Sequence, residues 1–246
     1  LVERITSDLA SWNEQRQQTA ANALNELVTK LGDRILRDIV PILLDKLTAQ
    51  EIHTRKGVCL GIAEICVAAT KSMLSNYLAD FIPALASALC DINDTVRVAA
   101  RQAYESLVRT CGERIVRETI PLLLELIDEK RAKYFASVEN MRSQGYSDAD
   151  IAEEKDYSEF AGLGLRSAVS VHMHERLAIE PIVAHLLATP IDPFHVSVLS
   201  RISAACGRSF LSHLGKVTDT LHSALYAVYR DLYVLEDAVV EQGEEH

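Results

Sequence analysis

The sequence has few aromatic residues, glycines and prolines, and it has no long apolar run. Aromatic side chains make up 6% of the 246 residues, and only 10 glycines and 6 prolines are present. Alanine, leucine, isoleucine and glutamate are abundant instead, and this composition favours helix. The chain has no run of 18 apolar residues, the length needed to span a membrane, and its first residues show no signal-peptide pattern. We therefore expect a helical protein that does not bind membranes.

The five cysteines lack the spacing of a metal or redox site. No C-x-x-C pair occurs, and Cys59, Cys66, Cys90, Cys111 and Cys206 all lie among aliphatic residues. Zinc sites need closely spaced ligands, and an odd number of cysteines does not suit a disulfide framework. The cysteines are expected to be reduced, small core residues. We expect neither a metal nor any other cofactor.

The charge is acidic overall and unevenly distributed. The chain carries 35 Asp and Glu against 25 Lys and Arg. Residues 1–133 are nearly balanced, whereas residues 134–246 are acidic. Binding of nucleic acid over a broad surface needs clustered Lys and Arg, so it is disfavoured for the whole chain. A local basic face in the first half remains open.

A period of about 40 residues organises the chain. Four similar segments carry a proline before apolar residues, at Pro41, Pro83, Pro121 and Pro181, spaced by 42, 38 and 60 residues. Each period contains two helical patterns, and neither helix can bury its apolar stripe alone, which is typical of an α-solenoid. Because proline lacks an N–H, the second helix should bend at the proline or begin late.

The period predicts one all-α array, an α-solenoid of about five helix pairs. The pairs are predicted at residues 12–48, 53–90, 94–128, 157–189 and 194–228. Residues 129–157 interrupt the period and are interpreted as a solvated insertion or as a docking arm. Residues 231–246 hold six acidic and no basic residues, and they are predicted to form a fraying helical tail.

One repeat carries a recognisable signature. Asp91, Val96, Arg97 and Ala100 form the pattern D-x-x-x-x-V-R-x-x-A, which resembles the HEAT repeat. The resemblance implies an armadillo-type fold, a right-handed α-solenoid. In that family the aspartate and arginine form a ladder of hydrogen bonds along successive repeats. The alignment of repeats places Gln17 at the arginine position, so the ladder is expected to weaken at the N-terminal end.

Four basic residues are candidates for partner binding: Arg55, Lys56, Arg97 and Arg101. One period separates Arg55 from Arg97, so the four would form a basic strip across two adjacent repeats. Ala49 stands where Arg55 would have its ladder aspartate, so we expect Arg55 to lack that partner and to lead the docking strip. Alternatively, Arg55 and Arg97 are ladder residues, and Lys56 and Arg101 are solvent-exposed residues beside them.

The stretch TRKGVCLGIAEI is the most enzyme-like part of the chain. It carries Gly57, Cys59 and Gly61, but a phosphate loop needs G-x-x-x-x-G-K-[ST] between a strand and a helix. A nucleophilic cysteine would need a nearby base and a lowered pKa, which the aliphatic surroundings do not favour. The two glycines align with Ala99 and Ala103, so they are predicted to allow close helix packing.

Four longer strings occur in a fixed order: LVTKLGDRILRDIVPILLDKL, RKGVCLGIAEI, ALCDINDTVRVAARQAYESL and YSEFAGLGLRSAV. In this order they resemble the general control non-derepressible one family of giant HEAT-repeat translational activators. The chain resembles a fragment of the family's C-terminal half, in agreement with an opening inside amphipathic sequence without an initiator Met.

The resemblance implies a cytoplasmic, non-enzymatic scaffold. The family binds stalled or colliding ribosomes and recruits, through RWD domains, the kinase that phosphorylates initiation factor 2 alpha. The expected partners are therefore proteins of that kinase pathway, and the ribosome through a longer parent protein. No small-molecule substrate is expected.

Two other function classes remain as alternatives. A nuclear-transport receptor or adaptor of the same fold would bind motif-bearing cargo. A metalloenzyme is less favoured, because His172 and His174 would point about 200° apart on a helix. HEAT-repeat iron hydroxylases carry His-Glu pairs in successive repeats, and this chain has one pair, at residues 174–175.

Overall fold

The computed structural model describes residues 1–147, 175–188 and 191–243, and every regular element in these ranges is a helix. A 3₁₀ turn at Gly207–Phe210 joins the last two helices. The helices are α1 (Val2–Leu9), α2 (Glu14–Leu31), α3 (Asp33–Leu47), α4 (Ile52–Ala68), α5 (Lys71–Leu74), α6 (Leu78–Leu89), α7 (Asp94–Cys111), α8 (Glu113–Ser143), α9 (Glu175–Leu186), α10 (Pro193–Cys206) and α11 (Leu211–Gly243). No helix in the described ranges is long and apolar enough to cross a membrane.

The helices stack in two layers. In the first layer α4 lies between α2 and α7, and in the second layer α3, α6, α8 and α9 follow one another. Helices α10 and α11 pack against α9. One continuous apolar core runs between the layers from Ile5 to Val217. Because each pair contacts mainly its neighbours, the architecture is an α-solenoid, and the predicted all-α fold class is confirmed.

Single glycines connect the two helices of the first pair and of the third pair. Gly32 joins α2 to α3 with φ of 60°, and Gly112 joins α7 to α8 with φ of 85°. A side chain is disfavoured at such positive φ, so glycine specifies this one-residue connection. The second pair lacks a glycine at this point, and residues 69–77, which include α5, make a longer connection between α4 and α6.

The recurring prolines lie within helices of the second layer. Pro41, Pro83 and Pro121 are exposed positions inside α3, α6 and α8. Helix α8 begins at Glu113, well before its proline, so the expected late start is wrong. Proline leaves the carbonyl four residues earlier without its helical donor. On the exposed side of a helix, water can bond to that carbonyl.

The predicted break at residue 129 is not where the chain changes direction. Helix α8 continues without interruption through residues 129–143. Within this part, the Arg131 guanidinium contacts the Asp192 carboxylate and lies 5.2 Å from the centre of the Phe135 ring, and Val138 is buried. The first half of the predicted insertion is therefore a continuation of α8, and it contacts Asp192, the residue that caps the N-terminus of α10. Residues 148–174 lie outside the described residues.

The first layer is closely packed at its glycines. A Cβ atom built on Gly57 would lie 1.8 Å from the Leu9 carbonyl oxygen, so the backbones of α4 and α1 touch there. A Cβ on Gly61 would lie 3.0 Å from one Leu9 methyl and 3.1 Å from a Leu24 methyl. The predicted role of these glycines in close helix packing is confirmed.

Replacing Gly57 with alanine should destabilise the chain far more than the same change at Gly61. At Gly57 the new methyl meets fixed backbone, so we expect the free energy of unfolding to fall by about 3 kcal/mol. At Gly61 the neighbours are the flexible ends of leucine side chains, so the change should stay within about 1 kcal/mol. Urea unfolding followed by circular dichroism measures both values. Equal, small effects at the two sites would contradict the close contact.

Candidate interaction surface

Arg55 links two repeats at the edge where α3 turns into α4. Its Nε and Nη2 atoms donate to the two carboxylate oxygens of Asp91 at 2.7 and 3.0 Å. Its Nη1 atom donates to the carbonyls of Ala49 and Gln50, both at 2.8 Å. The side chains of Arg55 and Asp91 are only 13% and 11% exposed. This bidentate geometry is the strong form of an arginine–carboxylate pair.

The expectation that Arg55 lacks an acidic partner is wrong. The partner is Asp91 in the following repeat, while Ala49 and Gln50 accept through their backbones instead of through a side chain. The hydrogen bond to Asp91 raises the pKa of the Arg55 guanidinium. An arginine held by four hydrogen bonds and largely buried is a structural residue, and it does not present its charge to a partner.

Gln17 performs the same linkage one repeat earlier. Its Nε2 atom donates to the carbonyls of Leu9 and Ser11 at 3.2 and 2.8 Å, and to the carbonyl of His53 in the next repeat at 2.7 Å. The side chain is buried. An amide group carries two N–H bonds, so one of them is shared between two of these three carbonyls. The ladder therefore continues to the N-terminal end with a different donor.

The other candidate residues are also paired with acceptors. Arg97 donates from Nη1 to the Asp91 carbonyl at 2.7 Å and from Nη2 to Asp94 at 3.0 Å. Lys56 contacts the Glu14 carboxylate, and Arg101 contacts Glu105 at 2.9 Å. Each cation of the predicted strip thus has a carboxylate beside it. The strip is an alternation of charges, not a uniformly basic surface.

Only part of the predicted strip faces solvent. Arg55 and Arg97 point into the ladder, with 13% and 12% of their side chains exposed. Lys56 and Arg101 lie one and four residues further along and are more exposed, at 23% and 44%. The structure therefore separates two ladder arginines from two residues of the outer surface, and partner binding by Lys56 and Arg101 stays a prediction.

Burial makes two thiol groups unreactive, those of Cys59 in the enzyme-like stretch and of Cys66 directly after it. All five cysteines are reduced, and Cys59 and Cys66 are fully buried. Burial raises the pKa of Cys59 to about 12, and the nearby Asp91 carboxylate adds to the rise. Burial also raises the pKa of Cys66. A thiolate nucleophile at Cys59 would require the opposite shift.

Within the part of the chain that the structure describes, no group of three or more His, Cys, Asp or Glu side chains could hold a metal ion. His172 and His174, the residues of the metalloenzyme alternative, lie outside the described residues.

The comparison with protein families adds the identity of the repeats. Residues 1–141, more than half of the chain, match a family described as "Stalled ribosome sensor GCN1-like, HEAT repeats". This range contains the ladder from Gln17 to Arg97. The chain belongs to this family.

Curated relatives agree over nearly the whole chain. It is 31% identical over 221 residues to "eIF-2-alpha kinase activator GCN1" of Dictyostelium discoideum and 30% identical over 217 residues to "Stalled ribosome sensor GCN1" of Mus musculus, covering 90% and 88% of this chain. It is 26% identical over 232 residues, 94% of the chain, to "eIF-2-alpha kinase activator GCN1" of Saccharomyces cerevisiae. The matches span 7%, 7% and 8% of those proteins.

Replacing Arg55 with alanine should destabilise the array. The change leaves the largely buried Asp91 carboxylate without its cation, so we expect the free energy of unfolding to fall by about 3 kcal/mol. Chemical unfolding measures this value. Arg114→Ala is the matched control, because its pair with Glu118 is mostly exposed and the melting temperature should not change. An Arg55→Ala chain as stable as the control would contradict the structural role.

Cys59 should resist alkylation as long as the chain is folded. Its buried thiol has a pKa of about 12, so almost no thiolate is present at pH 8. We expect iodoacetamide to leave Cys59 and Cys66 unmodified in the native chain and to modify all five cysteines in guanidinium chloride. Peptide mass spectrometry distinguishes the sites. Rapid native modification of Cys59 would reopen the reactive-thiol interpretation.

Proposed function

We propose that this chain is a non-enzymatic HEAT-repeat scaffold segment of a ribosome-associated translational activator. In this role it helps to recruit and activate the kinase of initiation factor 2 alpha during amino-acid starvation, and it acts in the cytoplasm together with ribosomes. The observation that carries the proposal is the family match over residues 1–141, supported by relatives whose names describe a stalled ribosome sensor and an eIF-2-alpha kinase activator.

The physical organisation of the chain supports a scaffold. Each repeat of a solenoid contacts mainly its neighbours, so the array presents an extended surface in which the spacing between distant points is fixed. In the first three pairs, Gln17 and Arg55 fasten successive turns to each other. An array stiffened in this way can hold two partners at a defined separation without contributing chemistry.

Lys56 and Arg101 are the residues of the predicted strip that we assign to partner contact. Both lie on the first layer, on neighbouring helices α4 and α7, and both form pairs that are open to solvent. Exposed ion pairs contribute little to stability. A negatively charged partner can therefore compete for these cations at little cost to the fold.

The test replaces the matching segment of the Saccharomyces cerevisiae relative with this chain. We expect the chimera to co-sediment with ribosomes and to restore phosphorylation of initiation factor 2 alpha in starved cells, whereas deletion of the segment should abolish the phosphorylation. Lys56→Glu with Arg101→Glu in the chimera should reduce co-sedimentation, because reversed charges repel a negatively charged partner.

Expression level and protease resistance of each variant serve as controls for folding. A folded chimera that behaves like the deletion would overturn the proposed function. Normal phosphorylation after simple deletion of the segment would reduce its role to a spacer. If the double charge reversal leaves co-sedimentation unchanged, the assignment of the two basic residues is wrong while the scaffold role stands.

A further inference from the structure

Three large apolar side chains are exposed along one edge of the array. Trp12 precedes α2, Ile52 begins α4 and Ile92 precedes α7, and these side chains are 82%, 44% and 61% exposed. They are spaced 40 residues apart, one in each successive repeat. Single exposed apolar residues are common on protein surfaces, but a series in register with a repeat is not a scattered set. We name these three residues the apolar row.

The ladder holds the members of the apolar row next to one another. One Gln17 amide nitrogen lies within 2.8 Å of the carbonyl oxygens of both Ser11 and His53, the chain neighbours of Trp12 and Ile52. The Arg55 guanidinium joins the Gln50 carbonyl, two residues before Ile52, to the carboxylate of Asp91, the neighbour of Ile92. The hydrogen bonds of the ladder therefore hold the apolar row in place.

An acidic side chain accompanies each member of the apolar row. Glu14 lies two residues after Trp12, Glu51 lies next to Ile52, and Asp94 lies two residues after Ile92. The first and third repeats share the same local design, with an asparagine cap between the apolar and the acidic residue, at Asn13 and Asn93.

These carboxylates remain accessible. Glu14 and Asp94 each contact a cation, Lys56 or Arg97, but their own side chains are 81% and 80% exposed. The carboxylate end of each pair faces solvent, so a basic side chain of a partner can approach it. The edge therefore offers alternating apolar and acidic contacts, which do not suit the phosphates of a nucleic acid.

We propose that the apolar row is a docking surface for an extended protein segment with a large apolar residue at every third position and basic residues between them. Apolar side chains of the segment contact Trp12, Ile52 and Ile92, and its basic side chains contact Glu14, Glu51 and Asp94. This inference goes beyond the proposed function and does not depend on it.

The spacing of the repeats selects the conformation of the segment. Packed helices lie about 8–10 Å apart, and small residues bring them to the lower part of that range. The polyproline II helix has three residues per turn and rises about 9 Å per turn, so every third side chain points in one direction. A segment in this conformation therefore places one apolar side chain and one basic side chain at each repeat.

The chain contains a built-in probe for this docking. Trp12 is its one tryptophan, and it is almost fully exposed. Titration with a synthetic peptide of four Leu-Pro-Arg units should shift its fluorescence emission to shorter wavelength as water is removed from the indole ring. A peptide of four Leu-Pro-Glu units should cause no shift, because its charges face the three carboxylates.

A variant that keeps the probe tests the row itself. Ile92→Ser should weaken binding of the Leu-Pro-Arg peptide by at least about fivefold, since one apolar contact is lost. Val67→Ser is the matched control. Val67 is 62% exposed but lies at the far end of α4, so its replacement should leave the affinity unchanged. Circular dichroism spectra of both variants should match that of the parent chain.

Four outcomes would overturn the proposal. The first is no emission shift with the Leu-Pro-Arg peptide, and the second is equal binding of the Leu-Pro-Glu peptide. The third is a blue shift of Trp12 when the chain is concentrated without peptide, which would assign the apolar row to contact with a second copy. The fourth is equal weakening of binding by Ile92→Ser and Val67→Ser, which would show that the peptide does not bind along the row.

Discussion

The bidentate pair between Arg55 and Asp91 is the interaction on which the rest of the array depends. It joins two turns that are 36 residues apart in the chain, and the same guanidinium also closes its own turn on the carbonyls of Ala49 and Gln50. One side chain therefore sets both the shape of a turn and its position against the next turn. Gln17 repeats this linkage with neutral acceptors.

This linkage depends on the close approach of α4 to α1. Gly57 lets the backbone of α4 touch the Leu9 carbonyl, so the Gln17 amide can reach Leu9 and His53 together. The hydrogen bonds of Gln17 thus depend on the absence of a side chain at Gly57. The outcome is an edge on which exposed residues of neighbouring repeats keep a fixed spacing, and a scaffold of the proposed kind needs such spacing.

The sequence predicts features that depend on period and residue size, and it misses those that depend on contacts between repeats. The 40-residue period, the close packing at Gly57 and Gly61 and the buried thiols follow from spacing and composition. The partner of Arg55 does not follow from the alignment of repeats, because the alignment places the ladder aspartate at Ala49 in the same repeat, whereas Asp91 comes from the next one. The sequence predicts a weaker ladder at Gln17, because it does not show that the acceptors there are backbone carbonyls. Helix α8 extends beyond residue 128, its predicted end. The sequence does not show this, because Arg131 in the extension contacts Asp192, which is 61 residues away in the chain.

The most direct test of this account is a double-mutant cycle on Arg55 and Asp91. The free energy of unfolding is measured for the parent chain, Arg55→Ala, Asp91→Ala and the double variant. A largely buried bidentate pair should give a coupling energy of about 2 kcal/mol, so the double variant should be clearly less destabilised than the sum of the single ones. Additive effects, with a coupling energy near zero, would contradict the claim that this pair locks successive repeats together.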